Sequence, residues 1–229
     1  MYYNALMEEF FHSLGIPLVG FADLSHINED ARRGFRYGIS IALPHYKDTI
    51  KKILEGSSLE AFNAVNARNK EIKEIAAKGE EFIVAKGFRA FSQAYIKRDE
   101  KYETPLPHKT VATAAGMGFI GKSSALITKK YGPAVRLSSI LTDMPFETAQ
   151  PIIKSHCGNC RRCVDACPAG ALLDHNWSIA SARTDIIDIG SCNGEISRRG
   201  KVYNTTGGAI CGVCIAACRY SQNYLTEIR

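Results

Sequence analysis

Cys157-Gly158-Asn159-Cys160-Arg161-Arg162-Cys163-Val164-Asp165-Ala166-Cys167-Pro168 is an uninterrupted C-x2-C-x2-C-x3-C-P run. This is the ligand spacing of a site with two 4Fe-4S clusters, in which the fourth cysteine serves the other cluster. The reason is mechanical. Three thiolates crowded into a tight turn reach three irons of one cube, while the fourth, at the start of a helix, points toward a second cube. One run therefore predicts another. It arrives as Cys211-Gly212-Val213-Cys214-Ile215-Ala216-Ala217-Cys218, with Cys192 upstream as the remaining thiolate. Arg219 stands where Pro is usual, and the 18 residues between Cys192 and Cys211 form an insertion.

The count closes, since two such clusters need eight thiolates and the chain has eight. Crossover ligation assigns Cys157, Cys160, Cys163 and Cys218 to one cluster and Cys167, Cys192, Cys211 and Cys214 to the other. Two structural zinc sites of four cysteines each are the alternative, because C-x2-C pairs also bind zinc. The formal charge of +6 falls to about +2 once two cubes of roughly −2 each are counted. The basic spots Arg161-Arg162 and Arg198-Arg199-Gly200-Lys201 then read as solvated surface rather than as a nucleic-acid footprint.

All eight cysteines lie at or beyond Cys157 in a chain of 229 residues. The predicted organisation is a cysteine-free domain over 1–150 and a cluster domain over 151–229. The opening Met1-Tyr2-Tyr3-Asn4-Ala5-Leu6-Met7 lacks a basic region and a long apolar core, so neither export nor a membrane partner is expected. Clustered cysteines in a reducing cytoplasm are metal ligands more often than disulfides.

The first domain alternates helix and strand. Leu6, Phe10, Phe11 and Leu14 predict a helix over 3–14, stopped by Gly15-Ile16-Pro17. Leu18 to Ala22, Tyr37 to Leu43, Phe88 to Ile96 and Val135 to Leu141 predict strands. Leu59 to Lys86 predicts a long amphipathic helix, or two joined near Gly79. Arg98 to Pro107 is charged and proline-punctuated, hence an exposed loop, and Lys109 to Ala115 predicts a short helix.

Gly116-Met117-Gly118-Phe119-Ile120-Gly121-Lys122-Ser123 satisfies both the G-x-G-x-x-G and G-x-x-x-x-G-K-S patterns. Both need a strand before the glycines and a helix after them, so that the helix N-terminus holds a phosphate. Here the predicted order is reversed, with helix before and strand after. Ser138 to Asp143 resembles a Walker B strand and keeps a nucleotide-binding alternative open.

Pro107-His108-Lys109-Thr110, then Ala115-Gly116-Met117-Gly118-Phe119-Ile120-Gly121-Lys122, then Leu141-Thr142-Asp143-Met144-Pro145, followed by the double ferredoxin run, resembles the epoxyqueuosine reductase group, which is akin to the cores of reductive dehalogenases. The resemblance runs from about Leu18 to Tyr224. It implies an α/β (α+β) chain: a nitroreductase-like domain that binds cobalamin, then a ferredoxin-like domain with two 4Fe-4S clusters. The implied activity is reduction of an unknown substrate, with electrons from an external donor of the ferredoxin or flavodoxin class passing through the clusters to cobalamin. On this resemblance His108, Lys109, Gly116, Gly118, Gly121, Lys122 and Ser123 line the cobalamin. The group's catalytic Asp, three residues before a Pro, is replaced in Tyr102-Glu103-Thr104-Pro105. Tyr102, or else Glu103, is the expected proton donor. The chain ends at Arg229 without the group's helical-repeat extension, so tRNA is not the expected partner. An iron-sulfur electron-transfer protein without cobalamin is the alternative reading.

Overall fold

The computed structural model of the chain describes residues 2–56, 58–100, 102–205 and 211–227. In chain order its elements are α1 (Asn4–Ser13), β1 (Leu18–Asp23), β2 (Tyr37–Pro44), α2 (Lys47–Leu54), α3 (Leu59–Ala85), β3 (Ala90–Ser92), α4 (His108–Ala114), β4 (Gly118–Ile120), β5 (Leu126–Thr128), β6 (Val135–Thr142), α5 (Arg162–Asp165), α6 (Arg183–Ile186), α7 (Ile189–Val202), α8 (Val213–Ala216) and α9 (Arg219–Thr226).

β1, β2, β6 and β3 form one sheet in that order. β1 and β2 run antiparallel with Leu18 opposite Ala42 and Asp23 opposite Tyr37. β3 and β6 also run antiparallel, with Phe91 opposite Leu141. β2 is buried through its interior, which is why its sequence reads as a continuous apolar run instead of an alternating one. Met7, Phe11, Ile39, Ile41, Ile72, Ile75, Ala76, Ile83 and Ile140 make one core cluster with α1 and α3. Leu24, Leu106, Val111, Ala114 and Leu141 make another with α4.

Two elements differ from their sequence reading in an informative way. α3 is one continuous helix, and Gly79 is no joint in it. A Cβ there would lie 2.7 Å from Ile140 Cδ1 and 2.7 Å from Phe11 Cζ, so glycine lets the helix approach the sheet. β3 spans Ala90–Ser92 instead of the predicted 88–96. The Ser92 hydroxyl accepts from Ala94 N at 3.3 Å and Ile96 N donates to Gln93 O, which turns the chain out of the sheet.

The chain divides into two compact units: residues 1–43, 69–118 and 136–152, and residues 44–68, 119–135 and 153–229. Segments 44–68 and 119–135 thus pack with the cysteine-bearing part, whereas the sequence reading placed its boundary at 150. The second unit holds the β4–β5 hairpin beyond Gly118 and the cysteine loops. In it Tyr224 donates to His45 O at 2.9 Å and its ring meets Tyr131 edge-on, which ties α9 to both imported segments. No helix among the described residues is long and apolar enough to cross a membrane.

Candidate functional site

The first cysteine run folds as its spacing requires. Gly158, at φ +56° with open space around it, makes the tight turn, and Cys160 N donates to Cys157 O at 3.1 Å. Cys163 lies in α5, and Cys218 is the N-cap of α9. Arg219 takes the first helical position, where Pro is favoured but not required, and donates to His156 O. Cys157, Cys160, Cys163 and Cys218 all line one open-sided pocket.

Cys192 is supplied from the first turn of α7, where Asp188 caps the helix by accepting from Ser191 N at 3.1 Å. Most of the sequence insertion between Cys192 and Cys211 is this helix, and its residues 206–210 lie outside the described residues. Cys163, Cys167, Cys192 and Cys214 share a packed cluster with Ala171, Leu172 and Ile187.

The thiols also act on one another electrostatically. Burial, then the charges of Cys218, Cys157 and Cys160, pushes the Cys163 thiol up to about 12. Burial and then Cys211 and Cys167 raise Cys192. Cys214 is raised by burial and chiefly by Cys211, with Cys163, Cys192 and Cys167 following. Such groups do not ionise together without cations among them; metal supplies those cations and displaces the protons. Among the described residues no three His, Cys, Asp or Glu side chains converge where one metal ion would sit. Four thiolates per site are the ligand number of a 4Fe-4S cube and equally of a tetrahedral zinc ion.

The glycine motif is not a phosphate loop. α4 precedes it and a two-stranded hairpin, β4 with β5, contains and follows it. Gly121 N donates to Ala125 O at 3.0 Å, Ser124 N to Gly121 O at 2.9 Å, and Ser124 sits at φ +57° in the turn. No helix starts after the glycines to receive an anion, so the nucleotide-binding alternative loses its structural premise. Nor do its glycines form an open cradle. A Cβ on Gly116 would lie 3.0 Å from Ala149 Cβ and 3.1 Å from Gln150 O, and one on Gly121 2.8 Å from Ile127 Cγ1 and 3.3 Å from Cys157 Sγ. Gly118 is buried in β4.

Lys122 and Ser123, expected at a cobalamin, line the pocket of the Cys157 set. Lys122 is 4% exposed, and its Nζ donates to Asp174 Oδ1 at 2.7 Å. Asp174 also accepts from Arg161. The Lys122 hydrogen bond, then the charges of Lys122 and Arg161, hold the Asp174 carboxyl below its usual range. The sequence reading took Arg161 as solvated surface and did not single out Asp174, which lies 52 residues from its lysine in a segment with no motif. His156, against Phe119 at 4.9 Å, is on the surface.

His108 and Lys109 begin α4. His108 Nδ1 is 2.8 Å from the Ser139 hydroxyl, which also accepts from Gln93 Nε2 at 2.7 Å. Burial, and then the charges of Arg98 and Lys73, lower the His108 pKa from 6.5 to about 4. Arg136 is lowered as well, to about 10, by burial and Arg98. Because the fold prefers neutral His108 while the unfolded chain protonates it near 6.5, stability is lost as pH falls from 6.5 toward 4. The loss from this group is about 1–3 kcal/mol. Unfolding measured at pH 7 and at pH 4 is expected to show a smaller pH penalty in His108→Gln; an equal penalty would refute the assignment.

Tyr102 and Glu103 sit in a turn closed by Asp99. Asp99 N donates to Glu103 O at 2.9 Å, Tyr102 N to Asp99 O at 3.0 Å, and Glu103 N to Asp99 Oδ1 at 2.8 Å. Tyr102 is held at φ +59° and is 48% exposed, a left-handed backbone uncommon for an aromatic residue.

Residues 156–221 match the 4Fe-4S double cluster binding domain family. An epoxyqueuosine reductase from Listeria monocytogenes is 48% identical over 121 residues, covering 50% of this chain and 29% of that protein. Among solved structures, an epoxyqueuosine reductase with an epoxyqueuosine-modified tRNA stem loop aligns with a TM-score of 0.63 at 19% identity, covering 96% of this chain and 66% of that one. A reductive dehalogenase described with a mechanism for B12-dependent dehalogenation aligns with a TM-score of 0.66 at 17% identity, over 93% of this chain and 30% of that one. These likenesses establish a shared fold, and the chain spans under a third of the curated relative's length.

Proposed function

We propose that this chain is a relative of the epoxyqueuosine reductases, an iron-sulfur reductase that uses two 4Fe-4S clusters and cobalamin to reduce an unassigned substrate; its motif order, fold and double-cluster domain support the reading. The observation that carries the reading is the gathering of Cys157, Cys160, Cys163 and Cys218 on one pocket, as crossover ligation demands. When bound, clusters of this kind supply one-electron transfer, and a cobalt corrin supplies a strongly reducing centre for the substrate.

The chain's own residues have separable tasks in this reading. The eight thiolates hold iron, and the hairpin around Gly121 closes one wall of the Cys157 pocket. His108 and Lys109 are the remaining corrin-lining candidates from the motif, with the Ser139 hydroxyl fixing the imidazole ring. His108 is neutral at pH 7, so it is able to accept a hydrogen bond as well as donate one. Tyr102 is the proposed proton donor, and Glu103 the second choice; the turn closed by Asp99 presents the Tyr102 side chain to solvent, where a substrate has access. An external donor of the ferredoxin or flavodoxin class supplies the electrons, and the protein works in the reducing cytoplasm.

The test is anaerobic reconstitution with iron, sulfide and cobalamin. About eight irons per chain, with a stoichiometric change in the corrin absorption spectrum, is the expected result. Eight irons without a corrin response would favour an electron-transfer module, the reading to which the closely packed Gly116 and Gly121 lend support. Zinc in place of iron would overturn both. With cobalamin bound, Tyr102→Phe is expected to retain iron and corrin but lose turnover. An epoxyqueuosine-modified stem loop and free small molecules serve as the two substrate arms.

A further inference from the structure

Lys122 is almost wholly buried, yet the motif that contains it binds no phosphate. Its position is fixed from two sides. The hairpin runs so close to the first cysteine loop that a Cβ on Gly121 would lie 3.3 Å from Cys157 Sγ, and the next residue along is therefore carried into the pocket wall. From the other side Asp174 holds the ammonium at 2.7 Å, and Asp174 is itself shared with Arg161. A single carboxylate thus faces two cations.

The wall of this pocket is cationic beyond Lys122, since Arg162 and Arg219 also line it. Around the second set of thiols, the charges acting on Cys192 besides the neighbouring thiols are Arg183 and Asp188, and Arg198 acts on Cys211. Adding an electron to a cluster makes it more negative, and a fixed positive charge in a poorly hydrated wall favours that state. The buried ammonium is screened least by solvent, so it contributes most per charge.

We propose that Lys122 is a positioning and tuning residue for the Cys157 set, raising the potential of that cluster. The inference rests on the iron-sulfur reading above and assigns to Lys122 a task at the cluster in place of one at the corrin. Asp174 moderates the effect by neutralising part of the charge, and it keeps the ammonium oriented.

The experiment is a redox titration of the reconstituted holoprotein, followed by electron paramagnetic resonance. The midpoint belonging to the Cys157 set is identified as the one missing in Cys218→Ser. Lys122→Met is expected to lower it by at least tenfold in the reduced-to-oxidised ratio at fixed potential, which is 59 mV for one electron. The other midpoint stays unchanged, and Lys122→Arg restores most of the shift. Asp174→Asn, which keeps the lysine, is expected to raise the same midpoint. That opposite sign separates tuning from mere loosening of the pocket and decides the matter alone if Lys122→Met does not assemble. Full iron content with unchanged midpoints in the variants would overturn the proposal and leave the reductase reading intact. Absence of iron in the parent would overturn that reading instead.

Discussion

Cys218→Ser is expected to strip the chain of one cluster and leave the other, lowering iron from roughly eight to four atoms per chain. Cys218 lies at the start of α9, far along the sequence from the three cysteines with which it lines a pocket. The complementary variant is Cys167→Ser. That residue sits inside the first run, but its charge acts on Cys192 and Cys214 of the other set. It is expected to remove the cluster that Cys218→Ser retains. Spectra of the two variants should therefore sum to that of the parent protein. If both variants lost the same cluster, ligation would follow the sequence runs and the crossover would be wrong.

Gly132→Ala is expected to cost about 3 kcal/mol of stability, at the upper end of ordinary single substitutions, and to lower the melting temperature by roughly 10 °C. Gly132 has φ +56°, and a Cβ there would lie 2.7 Å from Ser221 N and 2.8 Å from Tyr220 C. Both obstacles are in the backbone at the start of α9, so neither moves without shifting the helix that positions Cys218. Iron retention should fall together with stability. Gly87→Ala is the control, because Gly87 also has positive φ, at +86°, but nothing lies within 4 Å of its Cβ site. It should lose only about 1 kcal/mol, the cost of the backbone conformation alone. Equal losses at the two positions would show that the contact with α9 is unimportant.

The strands over Leu18–Asp23, Tyr37–Pro44 and Val135–Thr142 follow their apolar runs because buried strands need apolar side chains on both faces. The short helix at His108–Ala114 follows its alanines. The 88–96 segment misleads for a local reason, since the Ser92 hydroxyl competes for a backbone N–H and ends the strand early. At Gly79 the glycine suggested a helix joint but serves close packing against Ile140 and Phe11, a contact that sequence periodicity does not encode.

By itself the amino-acid sequence predicted the ligand set, two cysteine groups and their crossover, because thiolate spacing around a cube is a matter of covalent reach within a few residues. It also determined that the glycine motif runs in the wrong direction for a phosphate loop. Only the tertiary structure decided where Lys122 goes. Its partner Asp174 is 52 residues away, and the approach of the hairpin to Cys157 depends on the absence of a side chain at Gly121. Burial and the pairing of distant charges arise when separate segments pack, and local pattern carries no record of them.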